Sequence, residues 1–150
     1  MEVLQEKLNI EEVLRKDGVY VGPTVGVSML PMLRQRRDTI VVRPKKRRLQ
    51  PLDVALYKRG DQYVLHRVLS LTEDGYIIRG DNCYNDEYIL EDAVFGVLEE
   101  YFRDDKHILC TDKKHIRYAK NRIKTYKIRR FFVVGWQKIR AVARKIIKGK

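Results

Sequence analysis

Between Val54 and Arg79 the chain holds three short apolar-rich runs, Val54 to Tyr57, Tyr63 to Leu71 and Tyr76 to Arg79, separated by two turn signals. Val54 to Tyr57 and Tyr63 to Leu71 are separated by Lys58-Arg59-Gly60-Asp61, a hairpin connection with glycine in the loop. In the second run Tyr63, Leu65, Arg67, Leu69 and Leu71 point one way, and Val64, His66, Val68 and Ser70 the other. Asp74-Gly75 then turns the chain into Tyr76 to Arg79, which predicts a three-stranded antiparallel meander, and Ala93 to Leu98 reads as a closing strand. Thr39 to Val42 is a further strand, ended by Pro44 and the basic run Lys45 to Arg48, which reads as a solvated loop rather than a nuclear-localisation patch. The expected body is mainly β.

The flanks have a different period. Asn9 caps a short helix, with Glu12 three residues on and Asp17-Gly18 as its stop, and Val3, Leu4, Leu8, Val13 and Leu14 give it an apolar face. Gly22-Pro23 opens an extended segment. From about Lys114 the pattern is helical again: Ile128, Phe132, Trp136, Ile139, Ala143 and Ile146 share one side, and Val142 and Ile147 widen the stripe to roughly 140°. Residues 113 to 150 carry fifteen Lys or Arg and no Asp or Glu, whereas residues 1 to 112 hold 17 basic against 20 acidic residues, so the whole net charge of +12 comes from the tail. This divides the chain into a domain over residues 1–112, with its N-terminal helix, and a basic amphipathic helical tail over 113–150. Such a tail either docks on the β body with its charges solvated or lies on an anionic membrane surface.

Two cysteines, Cys83 and Cys110, are too few for a disulfide framework, and no His or Cys pair has metal-ligand spacing, so neither a metal nor a cofactor is expected. The start, Met1 to Glu6, lacks the basic and apolar regions of an export signal, and no apolar run approaches the ~18 residues that span a bilayer. A cytoplasmic location is expected.

Three short patterns carry chemistry: Gly26-Val27-Ser28-Met29-Leu30-Pro31, Leu65-His66-Arg67-Val68 and Gly80-Asp81-Asn82. Taken singly, they read as a loop serine, a packed strand histidine and a turn. In this order they supply a nucleophile, a base and a carboxylate. With the strands at Asp38 to Val42, Asp53 to Tyr57 and Tyr63 to Leu71, the series over residues 20–98 resembles the signal peptidase I and self-cleaving repressor superfamily, the S24/S26 serine peptidases. Most bacterial members have Lys where this chain has His66. The histidine resembles the endoplasmic-reticulum and spore-former signal peptidases, which use Ser, His and Asp, although true signal peptidases have membrane anchors.

The resemblance implies a compact signal-peptidase-like β fold and a serine endopeptidase that cleaves a precursor, leader or signal-type peptide, bound extended along a strand edge with small side chains near the scissile bond. Ser28 would be the nucleophile and its N–H an oxyanion donor. His66 would be the general base, since imidazole titrates near neutrality. Asp81 is the first choice to orient the imidazole, and Asp86, in the acidic pair Asp86-Glu87, is the alternative. Gly26 allows close approach of a substrate backbone, and Met29 is a packing or substrate-pocket residue. Two rival functions remain. A self-cleaving repressor would need a DNA-binding domain and a cleavable linker, and only 27 residues precede Ser28. A non-catalytic module binding membrane or nucleic acid rests on the charge asymmetry alone, and nucleic acid is the less expected partner.

Overall fold

The computed structural model describes residues 9 to 148; Val3, Leu4 and Leu8, placed above on the first helix, lie outside them. The molecule is mainly β. Its elements run α1 (Ile10–Asp17), β1 (Tyr20–Pro23), β2 (Asp38–Pro44), β3 (Val54–Arg59), β4 (Gln62–Leu71), β5 (Gly75–Arg79), β6 (Glu87–Leu90), β7 (Val94–Arg103), β8 (Lys106–Leu109), α2 (Lys113–Lys124) and α3 (Tyr126–Lys148). One antiparallel sheet has the order β1-β2-β7-β3-β4-β5-β6, with β8 added on β7.

Local chemistry accounts for the ends of these elements. Asn9 Oδ1 accepts the Glu12 N–H at 3.4 Å, and Gly18 closes α1 in the left-handed conformation, at φ 70°. The β3–β4 hairpin turns through Gly60 at φ 57°. The registers Ala55↔His66 and Tyr57↔Val64 put His66 on one face with Tyr57, Val64 and Val68, as the alternation requires.

β3 is buried on both faces, and this divides the core in two. Val54 and Leu56 join Leu14, Tyr20, Met29, Met32, Leu33, Ile40 and Val42 on one side. Ala55 and Tyr57 join Leu49, Val68, Tyr76 and Ile78 on the other. The serine loop packs on the first cluster; the histidine side chain belongs to the second face.

The tail is two helices rather than one. α2 is docked: His115 and Ala119 are buried, and Tyr118 reaches the body. α3 buries no residue among those described. No helix among the described residues is long and apolar enough to cross a membrane.

Candidate active site

Ser28 lies in the loop between β1 and β2. Met29, Met32 and Leu33 are core residues and fix that loop from below, while Val25 and Val27 stay exposed. Gly26 adopts φ 85°, which favours glycine, and its N–H points to Gln35 Oε1 at 3.4 Å. The Leu30–Pro31 peptide is cis. Met29 is buried in the core and also lines the cleft that Ser28 lines.

The Gly80-Asp81-Asn82 segment clasps this loop. Asn82 donates its backbone N–H to the Ser28 carbonyl at 2.8 Å and its side-chain amide to the Val27 carbonyl at 3.1 Å. Gly80 is wedged between the serine loop and the imidazole: a Cβ there would lie 2.6 Å from the Ser28 carbonyl oxygen, 2.8 Å from Cys83 Sγ and 3.0 Å from His66 Nε2. Glycine at 80 is therefore what lets Nε2 approach the serine loop. Ser28 and His66 line one cleft of about 1020 Å³, with no hydrogen bond between their side chains.

The carboxylate expectation needs correction. Side chains of consecutive strand residues point to opposite faces, so Arg67 turns away from His66, and it is Arg67 that takes Asp81. Its Nε and Nη2 donate to the two Asp81 oxygens at 2.7 Å each, both side chains are almost wholly buried, and the Tyr118 hydroxyl adds a third bond at 3.0 Å. Asp86 pairs with Arg79 at 2.6 Å. Neither carboxylate bonds the imidazole.

Glu87 does reach it. Its Oε1 lies 3.3 Å from His66 Nδ1, and the Tyr57 hydroxyl lies 3.1 Å from the same nitrogen while donating to Glu87 Oε2 at 3.0 Å. Arg59 donates to the Tyr57 oxygen at 2.9 Å and pairs with Glu87. The single Tyr57 proton is committed to Glu87, so the network assigns the imidazole proton to Nδ1 and leaves Nε2 as a bare acceptor facing the serine loop. Burial pushes His66 below its ordinary pKa; the Glu87 carboxylate opposes this, and the Arg59 guanidinium reinforces it. Burial thus favours the neutral imidazole at pH 7.

Glu87, Tyr57 and Arg59 were missed as site residues. The hairpin register carries the signal for two of them, because Tyr57 and Arg59 share the His66 face. For Glu87 the signal is the pairing of β6 with β5, in which it sits opposite Ile78.

The cleft is bounded by two open strand edges. Among the described residues β1 pairs only with β2, and residues 62–66 of β4 pair only with β3, because β5 joins β4 from Arg67 onward. Among the described residues the Ser28 N–H has no acceptor. α3 supplies another wall through Arg130, Val133, Val134 and Gln137. No protein-family model, curated protein or solved structure significantly matches the chain.

Proposed function

We propose that this protein is a serine endopeptidase, similar in site chemistry to the signal peptidases that use histidine, and that it cleaves a precursor or leader peptide. The observation that carries the reading is the imidazole. It is neutral, its Nδ1–H is held by Tyr57 and Glu87, and its Nε2 is turned toward the serine loop across a glycine.

In the proposed reaction Ser28 Oγ attacks the scissile carbonyl carbon while His66 Nε2 removes the hydroxyl proton. The hydroxyl–imidazole hydrogen bond closes as substrate binds. The oxyanion of the tetrahedral intermediate takes the Ser28 N–H. Collapse breaks the C–N bond, the imidazolium returns its proton to the leaving amine, and water, activated by the same Nε2, releases the acyl group. Glu87, with Tyr57, fixes the ring and offsets the imidazolium charge. The extended-peptide expectation is supported by the two open strand edges beside the cleft. Peripheral contact with a cytoplasmic membrane surface goes with this reading, through the basic tail.

The test is a serine-directed acylating reagent together with Ser28→Ala. Modification at Ser28, and loss of peptide hydrolysis in a variant that melts at the parent temperature, are expected. Modification elsewhere, or unchanged turnover in Ser28→Ala, overturns the assignment.

A further inference from the structure

α3 presents two opposite faces. At 100° per residue, the cleft-lining residues Arg130, Val133, Val134 and Gln137 lie within one sector, and the apolar stripe is centred roughly 170° away from it. Phe131 widens that stripe to roughly 160°. Phe131, Phe132, Trp136, Ile139, Val142 and Ile146 are between 58% and 75% exposed. A helix that used its stripe to cover the β body would have these values near zero. This one turns its mixed face to the body.

We propose that α3 lies in the plane of an anionic lipid surface, its stripe in the acyl boundary, with the peptidase cleft on the side of the helix away from the lipid. Charge selects the occupant. Residues 126 to 148 hold eight Lys or Arg and no acidic residue. Two copies joined stripe to stripe would bring sixteen like charges together, and a nucleic acid on the basic flanks would leave the stripe in water. Anionic lipid meets both requirements, because Arg140 borders one side of the stripe and Lys127, Lys138 and Lys145 the other, within reach of headgroups. Trp136, under the Arg140 guanidinium at 5.6 Å from the ring centroid, suits the boundary between headgroup and chain. The start of α3 is tied to the clasp segment: the Tyr126 hydroxyl donates to the Tyr84 carbonyl at 2.5 Å, and Arg129 donates to the Asp81 carbonyl at 3.2 Å. Docking would therefore hold the cleft at a fixed height over the membrane and favour peptides that arrive along it.

Trp136 is the only tryptophan, so the full-length protein reports its own docking. Vesicles of phosphatidylcholine with about a third phosphatidylglycerol, at low salt, should shift its emission to the blue and expose it to quenching by brominated acyl chains. Added salt should weaken the effect, and pure phosphatidylcholine should give much less. Phe132→Glu with Ile139→Glu should lower vesicle partitioning by about 100-fold or more. That variant should keep the parent's melting temperature and its cleavage of a soluble peptide, because among the described residues the stripe covers nothing. Ser28→Ala should bind vesicles like the parent, so a failure of the catalytic reading leaves this surface standing. Water-like emission on anionic vesicles overturns the proposal. So does an equal response to neutral vesicles, to duplex nucleic acid without lipid, or to protein concentration alone.

Discussion

Asp81 and Glu87 are six positions apart in one loop-and-strand segment, and they have different consequences when changed. Asp81 is held by a buried guanidinium, so Asp81→Ala leaves Arg67 charged and unpaired in the core. A loss of about 3–5 kcal/mol in stability is expected, read by denaturant unfolding. Glu87 is partly exposed, at 32% of its side chain, and faces the His66 imidazole. Glu87→Gln should leave stability nearly unchanged and lower kcat by about a hundredfold. The reverse pattern would return the orienting role to Asp81. The pH profile separates them further. The proposed mechanism requires the free base of His66, so kcat/KM should rise with pH through a midpoint below the ordinary histidine value, because burial disfavours the imidazolium. Glu87 opposes that shift and Arg59 adds to it, so Glu87→Gln should move the midpoint to lower pH still. An upward move would mean that the carboxylate does not act on the imidazole.

The elements most legible in the sequence are those set by local chemistry. The Asn9 cap, the Gly18 stop, the glycine of the β3–β4 loop and the apolar-rich run of β4 each depend on residues a few positions apart. β6 and β8 were not expected, since Glu87–Leu90 and Lys106–Leu109 are four residues each and are strands only because β5 and β7 offer edges. The site divides in the same way. Ser28 and His66, which line one cleft, stand in recognisable boxes, but which of Asp81, Asp86 and Glu87 comes near the imidazole depends on the face each reaches in the folded sheet, and short-range spacing does not encode that. The tail needs the same tertiary information. A break at Thr125 separates α2, whose Tyr118 and Arg122 bind Asp81, from α3, whose stripe is exposed among the described residues. Truncation after Asp112 should accordingly unfold or aggregate the protein. Truncation after Arg130 should keep the cooperative thermal transition within a few degrees of the parent, while raising KM because Val133, Val134 and Gln137 leave the cleft. Similar melting behaviour for the two truncations would show that α2 is dispensable.

Across the whole molecule the buried histidines set how the fold responds to acid. His115 is pushed down to about 4, first by burial and then by the Arg67 guanidinium, with Asp81 and Asp112 opposing, and His66 is lowered as well. The unfolded chain takes up these protons near the ordinary value of about 6.5. Between that pH and about 4 the unfolded state therefore binds more protons than the folded one, and stability is fully present above the window and lost as pH falls through it. At about 1.4 kcal/mol per unit, His115 alone accounts for roughly 3 kcal/mol across its window. Asp38 extends the loss to lower pH: burial works against its ionisation, but hydrogen bonds from Arg37 and the Arg34 N–H outweigh it, and its carboxyl is held below the usual value. The melting temperature should be flat from pH 8 to 7 and should begin to fall just below the histidine range, before most carboxylates titrate. His115→Phe, which cannot take up a proton and keeps an aromatic ring between Tyr101 and Tyr118, should remove a large part of the fall between pH 6.5 and 4 and none of that below. A variant that follows the parent's curve throughout this window would place the acid sensitivity in the carboxylates instead.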